Sequence, residues 1–212
     1  MRLKLVSLLI VLSGLSACST TEKPRNSAEN QSSQSSIALS QLTDAQSMYQ
    51  AALTRQGADK IQLLYTARDA AISEERWALL EKICLELEAT PSVDQIQNKL
   101  YIALAQEHQG KSDLALAQLQ QLEPQLSQPE HQAWHQYLTA RVYASQGMPK
   151  QAMHFFFKAS TLSSENNFTV ANLNKDLWQS LTQLSSYALE RFNRGSVVQQ
   201  GWVNLALYHQ VY

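Results

Sequence analysis

Cysteine is nearly missing from this chain, which has only Cys18 and Cys84 in 212 residues. A multiply bridged scaffold and a cysteine-rich metal site are therefore excluded. Proline and glycine are scarce too, at five and six residues. Their scarcity, beside abundant Ala, Leu, Gln and Glu, favours helix over turn-rich β architecture. No apolar run reaches the roughly 20 residues needed to cross a bilayer core. No block of Lys and Arg occurs, and the formal net charge is −1, so the concentrated positive surface of a nucleic-acid binder is absent. The sequence also lacks GxSxG, a Walker-type glycine loop and any Cys/His cluster.

What is present begins at the N-terminus. Met1-Arg2-Leu3-Lys4 is a short basic start, Leu5 to Leu12 is almost wholly apolar, and Ser13-Gly14-Leu15-Ser16-Ala17 ends in small residues before Cys18. That order describes a secretory signal over 1–17 rather than a membrane span. Leu15-Ser16-Ala17-Cys18 resembles the bacterial lipobox, in which the Cys becomes the acylated first residue of the mature chain. The alternative is an ordinary secretion signal with a chance Cys. At about 0.8 kcal/mol per buried methylene, two or more acyl chains form a stable anchor. Ser19, not Asp, follows the Cys, and by that resemblance the destination is the periplasmic side of the outer membrane.

Removing 1–17 takes Arg2 and Lys4 with it, leaving about 15 basic residues of the original 17 against 18 acidic ones. Residues 18–42 are rich in Ser, Gln, Asn and Thr with almost no apolar side chains until Ile37. Such a segment cannot bury enough surface to offset ordering and reads as a lipidated, disordered tether. Its r.m.s. reach as a coil is roughly 25 Å and its full extension about 80 Å.

Residues 43–212 read as one all-α domain. Aligning Ser73, Gly110 and Gly147 gives a spacing of 37 residues, twice. Five positions later stand Ala78, Ala115 and Ala152; nine later Lys82, Leu119 and Phe156; twelve later Leu85, Leu122 and Ala159. Upstream, Leu64, Tyr101 and Leu138 share one register, and Thr66, Ala103 and Ala140 another. The unit is helix, tight turn, helix, with the Ala five positions past the turn set where two helices approach closely. The third unit carries a small–Tyr–Gly–Ala–Phe–Ala skeleton at Ala140, Tyr143, Gly147, Ala152, Phe156 and Ala159. It resembles the tetratricopeptide repeat, so the expected architecture is a tetratricopeptide-like helical-hairpin solenoid, with a generic antiparallel bundle as the alternative. Periodicity and breakers predict helices at 43–56, 59–72, 74–89, 93–109, 112–122, 129–146, 149–162, 170–185, 187–193 and 197–211. Thr43 and Gln46 resemble a capping box, and Pro149 suits a first turn.

Chemistry-bearing candidates are few. His131 and His135 sit four apart on one helix, but Gln132 replaces the Glu of a zincin motif and no third ligand is evident. They read as a solvent-facing or helix-start pair, and no metal or cofactor is expected. Glu74-Glu75 and Glu86 with Glu88 read as solvated helix faces beside Arg76 and Lys82. Cys84, within Ile83-Cys84-Leu85, reads as a buried small hydrophobe. Asn167-Phe168-Thr169 matches a glycosylation sequon by chance. Phe155-Phe156-Phe157 cannot all face one side of a helix, which leaves core packing or an interaction surface at Phe155 and Phe157.

Three stretches carry a wider resemblance: Ala140 through Ala144-Ser145-Gln146-Gly147-Met148-Pro149, Asn172 through Asp176-Leu177-Trp178-Gln179-Ser180-Leu181, and Gln200-Gly201-Trp202-Val203-Asn204-Leu205. In order and spacing, behind a lipobox and a polar tether, they are similar to the N-terminal domain of the LpoA family, the outer-membrane lipoprotein activators of penicillin-binding proteins. The resemblance implies a non-enzymatic regulator of peptidoglycan synthesis, with no catalytic residues, whose partner is a class A penicillin-binding protein. It assigns the stimulating contact to a following periplasmic-binding-protein-like domain. The chain stops at Tyr212 inside an amphipathic helix, so it is expected to be a fragment without that domain, its helical part a spacer and interaction module. A monomer is expected. Two alternatives carry different functions: a helical-repeat scaffold for outer-membrane protein assembly, and the helical portion of a lytic transglycosylase, which would need a catalytic domain after the repeats.

Overall fold

The computed structural model describes residues 43–90, 93–162, 168–192 and 195–211, with side chains omitted over 168–171. The expected signal segment 1–17, Cys18, the expected tether 18–42, Pro91, Asn167 and Tyr212 lie outside the described residues. Among the described residues the regular structure is helical: α1 (Ala45–Leu53), α2 (Gly57–Ser73), α3 (Trp77–Glu88), α4 (Gln95–His108), α5 (Ser112–Leu122), α6 (Pro129–Ser145), α7 (Pro149–Leu162), α8 (Phe168–Thr182), α9 (Ser186–Phe192) and α10 (Val197–Val211), with a 3₁₀ turn at Glu123–Gln125. None of these helices is long and apolar enough to cross a membrane.

The ends follow from local chemistry. Asp44, not Thr43, caps α1: its carboxylate accepts from the backbone N–H groups of Gln46 and Ser47 at 2.9 and 3.0 Å. The first free N–H, that of Ala45, donates to Glu74 Oε1 at 2.9 Å, so a distant carboxylate completes the cap. Asp94 caps α4 through Gln97 N–H at 3.0 Å. Pro129 and Pro149 open α6 and α7, where a missing N–H is harmless.

Three hairpins share one turn geometry. The N–H of Arg76 donates to Ala71 O, that of Lys111 to Gln106 O, and that of Met148 to Tyr143 O, all at 2.8–2.9 Å. Each is the wide bond of a Schellman cap, closed around a residue of positive φ. Those residues are Glu75 (54°), Gly110 (73°) and Gly147 (71°). The first unit is therefore anchored on Glu75, two residues beyond Ser73, and the 37-residue spacing holds only between Gly110 and Gly147. Counting from Glu75 brings buried residues into line in every unit: Leu80, Ala115 and Ala152; Cys84, Leu119 and Phe156; Leu87, Leu122 and Ala159. Ala78, expected at a close helix approach, is instead exposed, as are Lys82, Leu85 and Thr66. The expectation failed because it sought a small turn residue, and here a glutamate occupies the left-handed position.

Two apolar clusters result. One is built from α1 to α4 around Leu64, Leu80, Ile83, Cys84 and Leu87. The other runs from α4 to α10 around Leu119, Leu138, Phe156, Leu173 and Leu177. Helix α4 belongs to both: Leu100, Ala103 and Leu104 enter the second, and Ile102 and Ala105 the first. Trp77 and Tyr101 touch both. A helix walled on two sides buries five consecutive residues, 102–106, and loses the one-sided stripe of a surface helix.

Candidate functional site

The sequence candidates disperse. His131 and His135 are both buried, at 8% and 3% exposure, which corrects the solvent-facing reading. The start of α6 packs onto α4 and α5, so each ring finds a different partner. His131 Nε2 lies 3.3 Å from the Asp94 carboxylate, and His135 Nε2 lies 2.9 Å from the carbonyl of Leu119. That contact makes Nε2 of His135 the protonated nitrogen, and burial pushes its pKa down. No group of three His, Cys, Asp or Glu residues that could hold a metal ion occurs among the described residues.

Glu74 and Glu86 do more than face solvent: Glu74 caps α1 and lies 3.6 Å from Arg76, while Glu86 pairs with Lys60 of α2 at 3.1 Å. Cys84 is fully buried, and burial pushes its thiol up to about 12, so it carries no thiolate chemistry. Phe156 and Phe157 belong to the core, at 0% and 8% exposure. Of the two phenylalanines expected at a surface, Phe157 is thereby corrected. Half-buried Phe155 stacks on Tyr143 with centroids 5.4 Å apart, and Lys158 Nζ lies 5.3 Å from its ring. Ala115, Ala140 and Ala152 are buried repeat positions.

The concentration of polar chemistry lies elsewhere, where the C-terminal ends of α4 and α6 meet α8. Arg141 Nη2 lies 2.9 Å from Glu107 Oε2 and 3.1 Å from His108 Nε2. Tyr137, one turn before Arg141, donates its hydroxyl hydrogen to Asp176 Oδ2 at 2.7 Å. His108 stacks flat on Trp77 of α3, with centroids 3.7 Å apart and planes 3° from parallel. Side chains from α3, α4, α6 and α8 thus form one network. It borders a cavity of about 250 Å³ lined by Glu107, Arg141, Ala144, Phe156, Asp176 and Gln183, among others.

Its electrostatics are set by burial. Desolvation raises the Glu107 pKa although Arg141 opposes the shift. Burial, reinforced by Arg141, lowers His108 to about 4, so its ring is neutral near pH 7 and Nε2 accepts from the guanidinium. Burial would lower the Arg141 pKa, but Glu107 and Tyr137 outweigh it and raise it. The Tyr137 hydroxyl is held protonated by burial and by its bond to Asp176. Apolar residues of similar volume often serve a fold as well as a buried ion pair, so such a network marks a candidate site.

Sequence reasoning did not find this cluster, because its members come from four helices, α3, α4, α6 and α8, and share no local motif. Asp176 and Arg141 fall within the quoted helical stretches, yet nothing in their spacing joins them. Available signals were Tyr137 and Arg141 at i, i+4 on a largely apolar helix, and Glu107-His108 ending another. Comparison with known proteins adds no assignment: no protein-family model, curated protein or solved structure matches the chain.

Proposed function

We propose that this chain is a non-catalytic helical-repeat lipoprotein, held by Cys18 at the periplasmic side of the outer membrane, that serves peptidoglycan synthesis together with a class A penicillin-binding protein. The observation that carries the reading is the run of helical hairpins closed by the same Schellman turn at Glu75, Gly110 and Gly147. Stacked hairpins of this kind make extended interaction surfaces. The lipobox and the three ordered stretches similar to activator lipoproteins supply the cellular context. In this reading the helical module spaces and positions, because the resemblance assigns stimulation to a separate binding-protein-like domain.

Glycan polymerisation and peptide crosslinking by a class A penicillin-binding protein, measured with and without the chain, test it. The chain should contact the enzyme weakly and leave both rates at baseline. Full stimulation by the chain alone would move the activating role onto the helical surface. Absence of any enzyme contact by in-cell crosslinking would reject the assignment.

A further inference from the structure

The cavity beside Arg141 gathers two carboxylates, Glu107 and Asp176, and one guanidinium. The guanidinium faces Glu107 and His108 through Nη2 and lies 5.9 Å from the Tyr137 ring centre. The Tyr137 hydroxyl is spent on Asp176. On the acceptor side, the Glu107 side chain is 9% exposed, and its buried Oε2 receives no well-directed hydrogen bond. Arg141 Nη2, 2.9 Å away, attracts that carboxylate without offsetting its burial. Asp176 receives its hydrogen bond on Oδ2. The lining thus carries two carboxylates against one guanidinium, a charge balance that one further cation would complete. The raised Glu107 pKa, to which Asp176 contributes, points the same way: the guanidinium does not compensate the burial of the charge.

We propose that this cavity receives the ammonium or guanidinium end of a lysine or arginine side chain presented by a partner polypeptide, held between Glu107 and Asp176. Half-buried Ala144 supplies an apolar surface for the methylene stem, and Gln179 and Gln183 offer amide oxygens at the exposed rim. A carboxylate is the poorer occupant, since it would face both Glu107 and Asp176 with Arg141 as the single positive charge in the lining. The site does not depend on the peptidoglycan reading, because it rests on the geometry of the cavity alone.

The test is an NMR titration of the isotopically labelled full chain with N-acetylated, C-amidated Ala-Lys-Ala, Ala-Arg-Ala and Ala-Gln-Ala. The reporters are the side-chain amides of Gln179 and Gln183 and the carboxyl carbons of Glu107 and Asp176. A basic peptide should give saturable shifts with a Kd on the order of 1 mM, and the glutamine peptide should bind about tenfold more weakly or less. Asp176→Asn should weaken binding about tenfold. Gln183→Lys, at an exposed position that does not threaten the fold, places an ammonium at the cavity mouth and should block the peptide. The proposal is overturned by no saturable response to either basic peptide, by an equal response to the glutamine peptide, or by undiminished binding in either folded variant. A response to calcium chloride with none to the peptides overturns it as well and makes the site a metal site.

Discussion

Glu75 holds a left-handed backbone that L side chains rarely adopt, at φ 54°, in the position that Gly110 and Gly147 fill in the other two turns. Such a residue is disfavoured by roughly 1–2 kcal/mol relative to ordinary backbone regions. Glu75→Gly should therefore raise stability, by about 0.5–1 kcal/mol once the added freedom of the unfolded chain is subtracted. Gly147→Val should lower it by on the order of 1–2 kcal/mol through backbone strain. A Cβ at Gly147 would meet nothing within 4 Å, so the loss comes from φ and not from a clash. Urea denaturation of the two variants checks both signs together, and a destabilised Glu75→Gly would remove the shared turn geometry. His108 supplies a second test at this scale. Its folded pKa, near 4, lies below the unfolded value of about 6.5. Between those values the unfolded state binds more protons, so the His108 contribution is intact above pH 6.5 and lost as pH falls towards 4. Glu107, with its pKa raised, contributes with the opposite sign. The clean measurement is the melting temperature of the wild type minus that of His108→Gln across this window. That difference should decline with acidification, and a constant difference would contradict a neutral, buried ring.

At the scale of elements, the ten predicted helices were legible because Ala, Leu and Gln-rich stretches alternate with Pro, Gly and Ser at their ends. The boundaries of α5, α7 and α10 agree with the prediction to the residue. Register was less legible. Ser73 is small and mimics a turn, while Glu75 is large and charged, yet the backbone bonds place the turn at Glu75. The burial of α4 on two faces was hidden for a related reason: its walls come from units before and after it, and local periodicity cannot report both. The charged cluster was hidden still further, since Glu107, Arg141 and Asp176 lie on α4, α6 and α8 and line one cavity only once those helices have packed. The corrected register makes a prediction that the original one reverses. Ala78→Leu, at an exposed position, should change stability by no more than about 0.5 kcal/mol. Ala152→Leu, at a fully buried one, should lose about 1–3 kcal/mol by overpacking α6 against α7. Comparable losses at both positions would restore the register that begins at Ser73.

For the whole molecule, the folded part offers two apolar clusters joined through α4 and one polar network spanning α3, α4, α6 and α8. Cys84, the thiol inside the described fold, is buried and held protonated. In the proposed function the module works through what it touches and where it is held. The proposed function therefore depends most directly on the residue proposed to fix its place, Cys18, which follows the apolar stretch Leu5 to Leu12 and precedes a polar stretch. The measurement that tests this is metabolic labelling with radioactive palmitate, followed by membrane fractionation, of cells producing the wild-type chain or Cys18→Ser. The account predicts label and outer-membrane recovery for the wild type, with loss of both for Cys18→Ser. Label retained at the wild-type level in Cys18→Ser, or a wild-type chain recovered unlabelled from the soluble periplasm, would contradict it.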